Sequence, residues 1–515
     1  MPKPFPKGPR IQVSALFVAI PKMESVSTIP PEKPIRKTIA RYAGSNLVRQ
    51  LLGMVTAFAR SRLLSPDQFG LWSLLNLIPQ YSGFLHLGAR SGITYRIPQL
   101  HSRNDAAGAA LVRNTVRRFS FTNSLLAALV LVAAAIVFHE ERTLSPLLLL
   151  SGLLVMINWW YEHRVVLLKG EQQFEIISRS NYLRAILLLI ITLALVPLWG
   201  VTGAVLAVVL TLTVSAIYLV THSPRMPHTG FDRSLLGSMI RQGAPLLGVS
   251  LAILLMRNVD RLMIAAMLDL HAVGLYALGG MMVGFLINVP GVSREVLEPR
   301  LMQALSDRPL DELIGPYLVE PVFKSALLMP LVVVPAELLL PYFIRQFLPE
   351  YSEGIDPIRI LLLSSFLIAL FFPLRGIVVA RSWQGRTLLH ATVALGLNAV
   401  GNWHVLNQGL GLEAVAWVSL SAFALLLVFE WFTVMQRLPR PWEMLPGRRT
   451  LLWLIALIVS CVAPWFAVTR LGILTDAADL QNLVGLAGFL ALYVPAALYL
   501  YHQPRRTRVS EGVRT

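Results

Sequence analysis

Apolar stretches of roughly 20 residues follow one another along almost the whole chain, separated by short polar connections. Each is long enough to cross a hydrocarbon core of about 30 Å as an α-helix. By length and patterning about fourteen can be read, centred roughly on residues 52, 82, 128, 155, 187, 211, 256, 284, 331, 367, 395, 424, 460 and 492. Lipid offers the backbone no partners, so spanning segments must be helices or closed barrels, and the strict alternation of a barrel is absent. The predicted fold is an all-α polytopic membrane protein.

The pattern also repeats. Leu64-Ser65-Pro66-Asp67-Gln68-Phe69-Gly70-Leu71-Trp72 lies over Leu268-Asp269-Leu270-His271-Ala272-Val273-Gly274-Leu275-Tyr276 without a gap, and in the same register Arg90 falls on Arg294, Arg96 on Arg300 and Gln99 on Gln303. Near the ends of the two halves, Gly200-Val201-Thr202-Gly203-Ala204 matches Gly411-Leu412-Glu413-Ala414-Val415. Repeats with an even number of spans keep one orientation, so two pseudo-symmetric six-helix bundles related by an axis along the membrane normal are expected, with a substrate pathway between them. The expected organisation is a disordered basic tail (1–35), a first bundle (36–222), a linker rich in Pro and basic residues (223–240), a second bundle (241–438), two additional spans (439–502) and a basic tail (503–515). The apolar run Ile11–Ile20 is too short to span, no small-residue cleavage site follows it, and Met23 is an alternative start.

Composition sharpens this picture. Of 515 residues, 55% are hydrophobic and only 14% charged, against about 25% charged in soluble domains. The net charge of +17 suggests nucleic-acid binding at first sight. Its cations, however, sit in alternate connections: Lys33 to Arg41, Arg96 to Arg118, Lys169 with Arg179, Arg225 to Arg241, Arg300 to Lys324, Arg381 with Arg386, Arg437 to Arg449, and Arg505 to Arg508. The intervening connections, such as Glu140-Glu141-Arg142 and Asp269–His271, are short and poor in cations. The positive-inside rule then places both termini in the cytoplasm, where anionic lipid attracts the basic loops. The single cysteine, Cys461, excludes a disulfide framework or a cysteine metal site.

No Walker loop, HExxH or GxSxG is present. A membrane glycosyltransferase or polymerase would need acidic groups or large external loops, and the loops are short. Intramembrane polar residues carry more information, because ionisable groups there need partners or water. In the first span Asn46, Arg49, Gly53 and Arg60 share about a third of the helix circumference. In the second, Asn76, Gln80, Gly83 and Arg90 form a stripe with His86 at its edge. Arg90 and its repeat mate Arg294 fall on opposite sides of the expected axis. These residues (Arg49, Asn46, Arg60, Gln80, Arg90 and Arg294) are the candidate substrate path. Span 7 carries Arg257-Asn258-Val259-Asp260-Arg261, where Asp260 can pair locally with Arg257. Gating or cation coupling by Arg257, Asp260 and Arg261 is the alternative. Asn158 with Glu162, and Asn398 with Asn402, share faces that suit interhelical hydrogen bonds. Trp159, Trp160 and Tyr161 read as an interfacial aromatic belt. Pro321, Pro330, Pro335 and Pro341 predict a bent ninth span.

The polar first span followed by Leu64–Trp72, with Val273-Gly274-Leu275-Tyr276 and Gly200–Ala204, resembles the polysaccharide-biosynthesis, oligosaccharide-flippase family of the multidrug/oligosaccharidyl-lipid/polysaccharide exporter superfamily over about residues 36–440. The resemblance implies two bundles around a central cavity and export of undecaprenyl-diphosphate-linked oligosaccharide units across a bacterial inner membrane, without enzymatic chemistry. It also implies a polysaccharide polymerase and a chain-length regulator as partners, alongside membrane lipid. A cationic cavity would suit the diphosphate. No cofactor is expected; a proton, a sodium ion or the membrane potential would drive transport. A lipid II flippase and a drug/cation antiporter of the same superfamily are the alternatives. The arginines typical of the lipid II flippase's second span have no match around Tyr81–Ser82, and a drug antiporter would prefer an acidic cavity.

Overall fold

The computed structural model describes residues 33–171, 173–223, 230–381, 383–437 and parts of a helix within 486–498. No strand occurs among the described residues. The first bundle contains α1 (Lys33–Leu63), α2 (Pro66–Leu75), α3 (Leu77–Ser82), α4 (Arg90–Ser102), α5 (Ala106–Val137), α6 (Leu144–Gly170) and α7 (Phe174–Thr221). The second contains α8 (Arg233–Met256), α9 (Val259–Met267), α10 (Leu270–Asp307), α11 (Leu310–Ile314), α12 (Glu320–Leu328), α13 (Pro330–Phe347), α14 (Ile355–Ala380), α15 (Gln384–Asn407) and α16 (Gly411–Met435). The end of the molecule carrying Pro66 and Leu270 is called the upper end below.

Among the described residues eight helical stretches are long and apolar enough to cross a membrane. One of them, α7, has 48 residues and at about 1.5 Å per residue would be twice as long as a bilayer core. It folds back at Gly200 (φ 52°), where a hydrogen replaces a side chain beside Gln68. Spans five and six of the sequence are therefore its two limbs. Spans one, two and eleven fall in α1, α2–α4 and α15, which are more polar or interrupted and are not among the eight. The predicted span near 460 lies outside the described residues, as do the C-terminal tail and residues 1–32, while 33–35 of the expected N-terminal tail belong to α1. The expected linker 223–240 reaches too far, because α8 begins at Arg233 under a cap in which the Leu235 amide donates to Asp232 Oδ1 at 3.0 Å.

The two bundles repeat their packing. In the first, α1 lies along α7 and α6 is flanked by α5 and α7; in the second, α8 and α9 lie along α15 and α14 is flanked by α12–α13 and α16. The duplicated motif has a local cause in each half. Ser65 caps α2 by accepting from the Gln68 amide, and its repeat mate Asp269 caps α10 by accepting from the Ala272 amide at 2.7 Å. The breaks, in contrast, are not repeated. The second span is unwound between Ser82 and Arg90, with Leu87 (φ 48°) and Gly88 (φ 90°) in left-handed geometry, whereas α10 runs unbroken through the equivalent stretch. The seventh span is broken at Arg257-Asn258, whereas α1 is continuous. The ninth span contains a π-helical turn at Gly315–Val319, and its backbone keeps right-handed helical geometry at Met329, before Pro330.

α13 and α14 are joined by a buried ion pair in which Arg359 Nε donates to Glu337 Oε1 at 2.7 Å and Nη2 lies 2.6 Å from the same oxygen. Removing one partner leaves a bare buried charge. Glu337→Ala should therefore destabilise the protein by about 3–5 kcal/mol. Pairing it with Arg359→Met should restore much of that loss, read from thermal unfolding in detergent. Equal stability of Glu337→Ala and wild type would show that water reaches the pair.

Candidate transport cavity and buried acid

α2 and α10 cross at the upper end with almost no space between their backbones. A Cβ on Gly70 would lie 2.1 Å from the Leu270 carbonyl oxygen, and one on Gly274 would lie 1.9 Å from that of Pro66. Gly70 with Gly274, and Pro66 with Leu270, are repeat mates, so the contact is reciprocal about the pseudo-axis. A third pair of mates, Asp67 and His271, meets there at 3.3 Å between Oδ2 and Nδ1. Tyr351 adds a hydrogen bond to the Leu64 carbonyl at 3.0 Å, and Phe58 packs against Phe343. Towards the lower end, α4 meets α8: Gly88 lies against the Gly243–Ala244 backbone, Gly92 against Met239, and Arg96 Nη2 donates to Gln242 Oε1 at 3.0 Å.

Between these contacts lies a cavity of about 470 Å³. Its polar lining is Gln50 from α1, Gln80 from α3, Ser250 from α8, Arg257 at the α8–α9 break, Asn288 from α10 and Arg375 from α14. Phe84, Phe371, Phe372 and Phe423 supply aromatic surface, and among the described residues no carboxylate lines it. Arg375 Nη2 donates to Ser250 Oγ at 3.3 Å, and the Arg257 guanidinium passes over Gly284, 3.8 Å from the position of a Cβ.

Of the residues singled out in the sequence, Gln80 and Arg257 line this cavity. Arg60 does not. It is buried at the upper end with its guanidinium 4.0 Å from the centre of the Trp72 ring, a cation–π contact between α1 and α2. Asn46 accepts from Asn181 Nδ2 of α7 at 3.0 Å, and Arg49 lies within electrostatic reach of Arg184 and Glu162, so both face the interior of the first bundle. Arg90 begins α4 near Glu162, also within that bundle. The Arg294 backbone belongs to α10, and its side chain lies outside the described residues. A polar stripe on a helix reports a polar neighbour, not which neighbour. On α1 the cavity-facing residue is Gln50, next to the stripe. Arg375 and Asn288 escaped attention although each interrupts an apolar span. Trp159 and Tyr161 are not an interfacial belt. Trp159 packs edge-on against Phe121 and stacks on His163, and Tyr161 is buried.

The expected Arg257–Asp260 pair does not form. The helix break between α8 and α9 removes the regular three-residue spacing, leaving Arg257 at the cavity and Asp260 inside the second bundle. There Asp260 Oδ1 accepts from Asn402 Nδ2 at 3.0 Å, while Oδ2 accepts from Tyr276 OH at 2.8 Å and Ser419 Oγ at 2.7 Å. Asn402 also donates to Asn398 Oδ1 at 2.8 Å, and its own Oδ1 is buried without a hydrogen bond. Arg261 turns aside to Asn258. Asp260 is thus a buried carboxylate satisfied by neutral donors, with oxygen atoms of Ser419, Asn398 and Asn402 close by. Such a set can hold a proton or a hard monovalent cation.

Two helical bundles that touch above and below a central cavity define a two-bundle membrane transporter fold. The chain belongs to the polysaccharide biosynthesis protein family, whose sequence pattern matches residues 35–304. Among solved structures it is similar to the lipid II flippase MurJ in an inward closed conformation, with a TM-score of 0.65, 13% identity, and coverage of 89% of this chain and 98% of that one. It is also similar to an inward-facing multidrug resistance MATE family transporter of the MOP superfamily (TM-score 0.59, 17% identity, 75% of this chain and 94% of that one). A third is a MOP superfamily transporter from Pyrococcus furiosus described as having a binding pocket of reverse polarity (TM-score 0.57, 15% identity, 78% and 95%). At these identities the likeness is one of fold. A search of curated proteins gives no sequence match.

Proposed function

We propose that the protein moves an undecaprenyl-diphosphate-linked oligosaccharide across the bacterial inner membrane by alternating access, as a step in surface polysaccharide synthesis. The observation that carries this reading is the charge of the cavity, whose described lining has two arginines, three amides and a hydroxyl but no carboxylate. Arginine keeps its charge and grips phosphate oxygens through two parallel bonds, and amides with aromatic faces suit sugar hydroxyls and rings. A drug antiporter that takes cations is disfavoured by the same lining. The family and the lipid II flippase fold support a lipid-linked cargo. Asp260, beyond the cavity wall, is the proposed coupling acid, loaded by a proton or a sodium ion. Arg294, on α10, remains a proposed further cation of the path.

Deletion should deplete the surface glycan while its lipid-linked unit accumulates at the cytoplasmic face. Each arginine–phosphate contact is worth about 1.5–3 kcal/mol, so Arg257→Ala with Arg375→Ala should abolish complementation at equal membrane abundance. Full complementation would sink the assignment of the cavity. Loss of assembly of the lipid-linked unit would point to an enzyme instead, and a change confined to drug sensitivity would point to an antiporter. The orientation is testable separately in a Cys461→Ser background. Cysteine at Glu140 should react with an impermeant thiol reagent in intact cells, and cysteine at Arg233 should not. The reverse result would invert the topology.

A further inference from the structure

The second span and its repeat mate differ in a stretch where local propensity does not account for the difference. Residues 83–89 form a run of turns in the second span, whereas the matching residues 287–293 belong to the unbroken α10. Yet it is α10 that carries Pro290 and Gly291 there, while the unwound stretch has two glycines and no proline. The unwound stretch also holds Leu87 in left-handed geometry (φ 48°) with its side chain half-exposed. Left-handed backbone is unfavourable for a residue with a Cβ. Contacts with the rest of the molecule must therefore hold the stretch unwound, and strain of this kind is stored at switches.

Side chains of α5 and α6 supply those contacts. Asn123 Nδ2 of α5 donates to the Leu85 carbonyl at 2.8 Å. In a continuous helix that carbonyl would accept from the Ala89 amide four residues on; here Ala89 donates to the His86 carbonyl at 2.8 Å instead. The Gly88 amide donates to His86 Nδ1 at 3.0 Å. At the upper edge of the stretch, Asn158 of α6 donates to the Pro79 carbonyl at 3.3 Å and to Ser82 Oγ at 3.4 Å. The stretch also touches both the cavity and the lower seam. Phe84 lines the cavity. Gly88 (φ 90°) approaches α8 so closely that a Cβ would stand 2.5 Å from the Gly243 carbonyl carbon, and Gly92 and Arg96 continue the α4–α8 contact. The left-handed turn is what brings Gly88 onto Gly243.

We propose that residues 83–89 are the hinge of the lower gate, a helix–turn switch held in its turned form by Asn123. Unwound, the stretch sets Gly88, Gly92 and Arg96 against α8 and closes the lower end. Rewound, as the matching stretch of α10 stands, it returns the Leu85 carbonyl to the Ala89 amide, releases Asn123 and lifts α4 from α8. Phe84 moves with it, so the cavity wall changes shape as the gate opens. Asn123 is a positioning residue that acts through the Leu85 carbonyl. The use of this switch in transport rests on the alternating access proposed above; the switch itself does not.

The test uses the full-length protein in lipid nanodiscs, in a Cys461→Ser background. Spin labels at Arg103→Cys, beyond the end of α4, and Arg241→Cys, on α8, read the width of the lower end; both residues are exposed. Hydrogen exchange of the amides of residues 84–89 reads the backbone. Asn123→Leu, which alters no residue of the α4–α8 seam, should raise the ratio of wide to narrow label distances about fivefold and slow exchange across 84–89. Gly88→Ala should act the same way, by about tenfold, because alanine favours the helix and resists the left-handed turn. Leu87→Gly, one residue away, relieves the left-handed strain and should act in reverse, narrowing the distances and leaving exchange fast. A protein that is merely loosened would widen with faster exchange, and that result would overturn the proposal. So would Leu87→Gly and Gly88→Ala moving the distances in the same direction, or Asn123→Leu matching wild type in both measurements. Intact surface glycan in a deletion strain would remove the export reading and leave the distance and exchange results standing.

Discussion

Leucine at Gly70 or at Gly274 should abolish transport and hold the upper end open. The two helices touch through backbone, since a Cβ at Gly70 would stand 2.1 Å from the Leu270 carbonyl oxygen and 2.9 Å from the Gly274 nitrogen. Neither atom belongs to a flexible side chain that could turn away. Any side chain must therefore push α2 from α10, and with them the reciprocal contact at Pro66 and Gly274. The neighbouring Asp67–His271 pair is half-exposed and contributes little, about 0–1 kcal/mol, so it cannot hold the end shut by itself. A cysteine replacing Gln50 in the cavity, in a Cys461→Ser background, reports the state of the gate. With Gly70→Leu it should react with an external impermeant thiol reagent, and with Gly70 intact it should react far less. Gly70→Leu with normal export and a protected Gln50→Cys would show that the α2–α10 contact is no part of the cycle.

Asp260→Asn should uncouple transport from its driving gradient while leaving the cargo cavity intact. The carboxylate is enclosed by donors from Tyr276, Ser419 and Asn402 on three helices, α10, α16 and α15. Asparagine keeps the volume but removes the charge that can bind a proton or a monovalent cation. In proteoliposomes with an imposed proton or sodium gradient, wild type should respond to one of the two and Asp260→Asn to neither. Exchange of labelled cargo without a gradient should persist in the variant. An Asp260→Asn protein that still follows the gradient would place coupling elsewhere.

What was legible in the sequence is what short-range chemistry decides. Apolar length gave helices, because lipid satisfies no backbone groups, and the gap-free match of Leu64–Trp72 to Leu268–Tyr276 showed two related bundles. Even the capping at Ser65 and Asp269 is visible once the motif is aligned. The stripe on α1 sets Asn46 and Arg49 on one face, and Asn46 meets Asn181 there.

The tertiary structure alone decided which partners those are. Helical periodicity fixes a direction about an axis but not the helix that waits there, so Asn46 and Arg49 proved to face α6 and α7 while Gln50 faces the cavity. Asp260 was parted from Arg257 by a backbone break that the equivalent stretch of α1 does not share. Arg375 acquired its meaning only from the bundle that α14 enters. The sequence alone determined helices, repeat and the residues worth asking about. Their neighbours were settled by packing, because contacts such as Asp260 with Ser419 and Asn402, and Arg375 with Ser250, join residues more than a hundred positions apart, and no local pattern encodes that distance.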